Sequence, residues 1–220
     1  NVGGAYPLLD FTIPPLLARL FGLVVALTVH EFAHAWTANY FGDDTPRSQG
    51  RLTLNPVVHI DPMGALLLIV AGFGWARPVM VNLQALERRS PAAPMLVALA
   101  GPASNLVLAL VAAIPVQAGL VTLGQTSSGL LPSAFQLIDE FVFINLLLML
   151  FNLIPLAPLD GEKVLTYFLP PSGKQFMAQI RPYGPMLLMA LIFLLPLAGI
   201  NLLQILLGVP MRALYFLLLG

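Results

Sequence analysis

Residues 16–34 read LLARLFGLVVALTVHEFAH, an apolar run that ends in two histidines one helical turn apart. His30 and His34 are four residues apart, so on a helix both imidazoles lie on one face and can reach one metal ion. Glu31 directly follows the first histidine, which completes the H-E-x-x-H arrangement of zinc hydrolases. Because ionisable groups are costly in a lipid-embedded helix, their presence here indicates a functional site.

The composition is that of an integral membrane protein. Of 220 residues, 58% are hydrophobic and 9% are charged, whereas a soluble domain has about 25% charged residues. Ten basic residues balance ten acidic ones, so the charge gives no argument for nucleic-acid binding. The chain has no cysteine, which leaves His, Asp and Glu as candidate metal ligands.

The apolar runs predict an all-α membrane protein, a polytopic bundle of about five to six transmembrane helices. The predicted helices cover about residues 14–41, 91–123 and 133–154, with two further segments within 186–219. We expect a single membrane-embedded domain over residues 1–220.

Two shorter elements are predicted between the first two helices. Residues 63–73 are apolar but too few to span easily, which favours a re-entrant segment. Weak alternation over residues 50–54 indicates a short β element near the cytoplasmic face. An exposed strand there could pair with an unwound substrate segment, or it could be an ordinary interfacial hairpin.

A catalytic zinc ion usually has three protein ligands and a water molecule. Asp160 is the best candidate for the third ligand, because prolines and a glycine surround it and must break the helix. Irregular backbone at membrane depth is tolerated only where it lines a cavity or is buried in protein. A capping turn is the simpler alternative for Asp160. His59 and Asp61 are rival ligands, although their Pro-flanked loop favours polar turn residues.

His34 and Asp160 can meet only if their two helices run in the same direction, which requires residues 63–73 to dip into the membrane and return. The loops 42–61, 76–91 and 157–184 then share one face. Those loops hold eight of the ten basic residues: Arg47, Arg51, Arg77, Arg88, Arg89, Lys163, Lys174 and Arg181. The opposite loop has none, so the site is expected near the cytoplasmic face, with the N-terminus outside.

Three motifs together resemble the site-2 protease family of intramembrane zinc metalloproteases. They are HEFAH at 30–34, Ala100-Gly101-Pro102, and the segment from Asn152-Leu153-Ile154-Pro155 to Leu159-Asp160-Gly161. Their order and spacing agree with the family over about residues 16–165, the catalytic core, which leaves C-terminal helices at about 185–219. Residues 51–82 resemble a compact prokaryotic branch, and no PDZ or nucleotide-sensing domain is recognisable.

The resemblance implies one Zn²⁺ per chain, held by His30, His34 and Asp160, with Glu31 as catalytic residue and Asn152 in the active-site region. It implies cleavage of peptide bonds within or next to transmembrane segments, in the cytoplasmic membrane of a prokaryote. The partners would be the lipid bilayer and a membrane-protein substrate with a transmembrane helix.

Three points stay open at the level of the sequence. The alternative functions are a zinc permease or metal sensor and a non-catalytic scaffold; Glu31 favours a protease, which needs a base. Asn152 could donate a hydrogen bond to the substrate or simply bond a neighbouring carbonyl within the helix bundle. For Asn105 the packing role is favoured.

Overall fold

The computed structural model describes residues 12–61, 63–64, 76–125 and 129–220. These residues are mostly helical, which confirms the predicted fold class. The helices are α1 (Ile13–Tyr40), α2 (Thr45–Ser48), α3 (Pro56–His59), α4 (Leu83–Arg89), α5 (Ala93–Gln117), α6 (Ala134–Asn152), α7 (Asp160–Phe168), α8 (Pro171–Ile180), α9 (Gly184–Met189), α10 (Leu195–Leu197) and α11 (Leu202–Leu219).

Five helical segments among the described residues are long and apolar enough to cross a membrane: Ile13–Tyr40, Ala93–Gln117, Ala134–Asn152, Pro171–Leu197 and Leu202–Leu219. The fourth segment joins α8 to α10 through a 3-10 turn at Arg181–Tyr183 and a π-helical stretch at Ala190–Leu194. The two segments expected within residues 186–219 are separate, because helix ends at Leu197 and begins again at Leu202. The first of these segments, however, begins at Pro171 rather than near residue 186.

The predicted β element over residues 50–54 is not formed. Gly50 has a φ of 68°, and the Arg51 N–H donates to Pro46 O (2.8 Å), so the chain closes a turn after α2 instead of extending. The described β pairing is one antiparallel bridge between Ile60 and Ala76. The predicted re-entrant segment, apart from residues 63 and 64, lies outside the described residues.

Helices α1, α5 and α6 form the core, and small residues let them approach closely. A Cβ on Gly22 would be 3.0 Å from Ile144 Cδ1, and Ala18, Ala26, Ala98 and Ala109 are almost fully buried. Arg19 on α1 forms an ion pair with Glu140 on α6 (2.9 Å). Early residues of α1 therefore meet early residues of α6, so the two helices are parallel, as the topology argument requires.

Helix α5 is antiparallel to α1, because His34 contacts Val97 and His30 contacts Asn105. We call the end of the bundle where α1 and α6 end the histidine end. The other end contains Gln117 and the start of α6, and we call it the far end.

Helix α11 runs from the histidine end to the far end. Tyr215 donates a hydrogen bond to Asp139, and Gln117 Nε2 donates to Leu218 O (3.2 Å). At its start, Leu202 packs against a cluster that contains Ile154. The turn after α10 therefore lies near the histidine end, and so does the start of α9, because a Cβ on Gly184 would collide with Ala157 O.

Candidate metal centre

Helix α1 buries three ionisable side chains in the core of the bundle. His30 is 4% exposed, and Glu31 and His34 are each 8% exposed. The Nε2 atoms of the two histidines are 3.0 Å apart. Their spacing of four residues places both rings on one face of the helix, towards α5 and α7.

The structure brings Asp160 to the same point. Asp160 Oδ2 is 3.3 Å from His30 Nε2 and 3.2 Å from His34 Nε2. One ligand atom from each of the three residues lies within 4.8 Å of the others. Two imidazoles and a carboxylate are a ligand set that Zn²⁺ takes in catalytic sites.

A tight loop between α6 and α7 delivers this carboxylate. The loop contains a cis peptide bond between Ala157 and Pro158, and Asp160 is the first residue of α7, outside the five segments that are long and apolar enough to cross a membrane. A Cβ on Gly161 would collide with Leu153 O and be 2.5 Å from Ile154 O. The loop can therefore fold back onto the end of α6 only because residue 161 is glycine.

The electrostatic environment favours an ionised Asp160. Burial disfavours the charged carboxylate, but when the imidazoles are protonated, the charge of His34 and hydrogen bonds from both rings hold the pKa of Asp160 below its usual range. The side chain is thus prepared to act as an anionic ligand.

Gly101 on α5 forms the wall opposite the histidines. A Cβ at this position would be 2.6 Å from His30 Nε2 and closer still to His34 Nε2. Pro102 follows it within the helix. The Ala-Gly-Pro motif thus keeps the space at the ligand atoms free of side-chain carbon.

The hydrogen bonds of the imidazoles fit a metal at this position. His34 Nδ1 is 2.7 Å from Val97 O, and His30 Nδ1 is 2.6 Å from Asn105 Oδ1. Both partners accept, so each neutral ring carries its proton on Nδ1. The unprotonated Nε2 atoms then face each other and the Asp160 carboxylate. Because their lone pairs repel one another, a bound cation would stabilise this arrangement.

Glu31 points to a different neighbour. Its Oε2 accepts a hydrogen bond from Val79 N (3.1 Å), in the irregular segment 77–82 that precedes α4. Asp43 anchors the end of this segment, because its Oδ2 accepts from Asn82 N (2.6 Å). A loop that no sequence pattern linked to Glu31 therefore fixes the position of this carboxylate, next to His30 in the chain.

The remaining candidates lie elsewhere. His59 is fully buried, and its Nε2 is 2.7 Å from Thr53 O; Asp61 Oδ1 accepts from Gly64 N (2.9 Å). Neither belongs to the metal-binding group.

The two candidate asparagines have different partners. Asn152 Nδ2 donates to Leu148 O of its own helix (2.9 Å). Asn105, for which packing was favoured, contacts His30 directly.

Comparison with known proteins agrees with this site. Residues 18–142 match the model of peptidase family M50. The chain is 43% identical over 181 residues to "Putative zinc metalloprotease YwhC" of Bacillus subtilis (strain 168), covering 80% of each chain. It is 32% identical over 205 residues to "Putative zinc metalloprotease Rip2" of Mycobacterium tuberculosis (strain ATCC 25618 / H37Rv), covering 89% of this chain and 76% of the relative. No solved structure matches significantly.

The apolar helices and the buried His-His-Asp group, taken together with these matches, define a membrane-embedded zinc metallopeptidase. The chain belongs to peptidase family M50, the site-2 protease family. Its cofactor is Zn²⁺, and its metal-binding group fits that ion.

Proposed function

We propose that this peptidase cleaves peptide bonds within or next to transmembrane segments of other membrane proteins. The observation that carries the proposal is the location of the metal-binding group. His30 and His34 lie on a 28-residue apolar helix and are enclosed by two other spans, so a substrate bond must reach them inside the bundle.

Aromatic side chains support a site just inside the membrane surface. Trp36 and Tyr40 are 56% and 72% exposed, and their rings stack with centroids 6.0 Å apart. Aromatic residues of this kind prefer the interface between lipid and water. Since a helix rises about 1.5 Å per residue, His34 lies roughly 3–9 Å deeper than these two residues.

We propose that the histidine end faces the cytoplasm. Eight of ten basic residues lie in loops or helices at that end, and positive charge is retained on the cytoplasmic side. For a prokaryotic chain this orientation corresponds to the cytoplasmic membrane. Water and a released product would then enter and leave through loops of the cytoplasmic face.

In the proposed mechanism His30, His34 and Asp160 hold the zinc ion, and Glu31 is the general base. Bound zinc acts as a Lewis acid that lowers the pKa of water and polarises a carbonyl. Glu31 takes a proton from the attacking water and returns it to the departing amine. The Val79 N–H holds one carboxylate oxygen of Glu31, which orients the other for this transfer.

The segment 77–82 is the proposed docking strand for an unwound substrate. The Val79 N–H bonds Glu31, and the Arg77 N–H donates to His59 O (2.8 Å). Within the described part of the chain, the backbone groups of Met80 and Val81 have no hydrogen-bond partner. Main-chain pairing there would satisfy amides that a substrate helix exposes when it unwinds. In this proposal, segment 77–82 has the docking role that was expected for residues 50–54, where no strand is formed.

Reconstituted vesicles test the proposal. Wild type should cleave a single-span substrate, whereas Glu31→Gln should keep zinc and lose cleavage, because the amide cannot accept the proton. Glu87→Gln, on the exposed face of α4, is the matched control and should behave as wild type. Normal cleavage by Glu31→Gln would overturn the catalytic assignment.

The same vesicles distinguish the rival function. A zinc permease would need further ligands along a path across the membrane, and the described residues contain one metal-binding group. We therefore expect no zinc flux into sealed vesicles. Zinc flux without cleavage by wild type would favour the permease.

A further inference from the structure

Asn105 lies at the centre of a hydrogen-bond chain that joins the three core helices. Its Oδ1 contacts His30 Nδ1 (2.6 Å), and its Nδ2 donates to Ala26 O (3.2 Å) and to Asn145 Oδ1 (2.9 Å). Asn145, on α6, donates in turn to Phe141 O (2.8 Å). Both asparagines are fully buried.

The direction of each hydrogen bond in this chain is fixed. Ala26 O and Phe141 O are carbonyl oxygens and only accept, so the Nδ2 group of each asparagine must face its carbonyl. Asn145 then presents Oδ1 to Asn105, and Asn105 presents Oδ1 to His30. His30 must therefore donate from Nδ1, which leaves the Nε2 lone pair directed at the metal position.

We infer that Asn145 and Asn105 are positioning residues for the zinc ligand His30. Helix α6 contributes none of the three proposed ligands, yet Asn145 Oδ1 is a second acceptor, beside Ala26 O, for the Nδ2 group of Asn105. Asn145 therefore helps to hold the amide orientation of Asn105, and through it the tautomer and ring angle of His30. The inference rests on His30 being a ligand, as proposed above.

The comparison with His34 supports a specific role. His34 Nδ1 uses a backbone carbonyl, that of Val97, which helix α5 supplies without a polar side chain. Only His30 depends on side chains from two other helices. Two fully buried amides in apolar spans are costly unless each is bonded, and an aliphatic residue would fill the same space.

The test is zinc affinity, measured by chelator competition on the purified full chain in detergent, with thermal stability of the zinc-free protein in parallel. Loss of an outer-shell partner typically lowers metal affinity ~10–100-fold, which is the loss expected for Asn105→Leu. Asn145→Leu should lower affinity less, in the same direction. Asn105→Asp keeps the acceptor for His30 and should retain more zinc than Asn105→Leu.

Ser104→Ala is the matched control, because among the described residues Ser104 Oγ bonds Gly101 O of its own helix (2.7 Å) and no group of the proposed site. The double variant Asn105→Leu/Asn145→Leu should bind zinc no more weakly than Asn105→Leu, since Asn145 acts through Asn105. Additive losses, or wild-type affinity in Asn105→Leu, would overturn the inference. If His30→Ala also bound zinc normally, the proposed ligand set itself would be wrong.

Discussion

Gly101 lies so close to His30 that a Cβ at residue 101 would be 2.6 Å from Nε2, the proposed ligand atom. Helix α5 thus leaves space beside the metal-binding group, because residue 101 has no side chain. The glycine is required by proximity rather than by backbone conformation, since it lies within a regular helix.

We expect Gly101→Ala to abolish zinc binding and cleavage, because the methyl group would push both imidazoles away from their meeting point. Zinc content after dialysis and cleavage of a single-span substrate would be measured. Gly208→Ala is the control: it is also a helical glycine, but its Cβ would meet nothing closer than 3.8 Å. A zinc-replete Gly101→Ala protein would contradict the position of α5.

Asp160→Ala should lose both zinc and activity. It removes a proposed ligand from the group, so zinc affinity should fall by more than the ~10–100-fold typical of an outer-shell partner. Asp61→Ala removes an aspartate whose described contact is the hydrogen bond from Gly64 N, and it should keep zinc. Equal zinc content in the two variants would show that Asp160 is merely a capping residue.

The ion pair between Glu162 and Arg181 should stabilise the fold. Glu162 is 3% exposed, and Arg181 Nη2 and Nε lie 2.7 and 3.1 Å from its Oε1. Arg181→Gln would leave a buried carboxylate without its charged partner, at a cost of about 1–3 kcal/mol, visible as a lower unfolding temperature in detergent. Glu162→Gln/Arg181→Gln should recover part of this loss, and no recovery would argue against a direct pairing.

Asn152→Ala tests whether this amide assists catalysis. If Asn152 turns from Leu148 O to a developing oxyanion, kcat should fall about 10²–10³-fold while zinc content and stability stay close to wild type. Asn152→Asp, which keeps the shape but adds a negative charge, should be at least as defective. An unchanged kcat in Asn152→Ala would assign the residue to packing alone.

The chain has no cysteine, so single cysteines report the topology without background. Because Tyr215 meets Asp139 and Leu218 meets Gln117, we expect Gly220→Cys to be labelled from the same side of the membrane as Gln125→Cys. Glu87→Cys should be labelled from the opposite side. If Pro171–Leu197 crossed the membrane completely before α11, residue 220 would instead be labelled together with residue 87.

Local sequence patterns were sufficient to predict those elements whose interaction partners are close along the chain. The apolar run before His30 predicts α1, and proline and glycine around Asp160 predict the irregular loop. The start at Pro171 was missed because Lys174 and Arg181 make the sequence polar, whereas Arg181 is paired with Glu162 in the fold. The alternation of polar and apolar residues over 50–54 is too short to favour a strand over the turn at Gly50.

Long-range contacts explain the parts that the sequence could not predict. Val79 bonds Glu31 across 48 positions and Asn145 bonds Asn105 across 40, and neither pair has a local signature. The sequence feature that could have indicated the Asn105–Asn145 pair is the presence of asparagines inside apolar spans, since such side chains need hydrogen-bond partners there. Their partners became known only from the packing of α1, α5 and α6.

The His-His-Asp group also orders events during synthesis. His30 and His34 emerge from the ribosome long before Asp160, because the whole of α5 and α6 lies between them. If these three residues are the zinc ligands, as proposed, a nascent chain that has inserted only its first helices would have an incomplete ligand set and would not hydrolyse neighbouring proteins. Under this proposal, activity would arise only once α7 folds back onto α1, so the topology itself would delay proteolysis until the bundle is assembled.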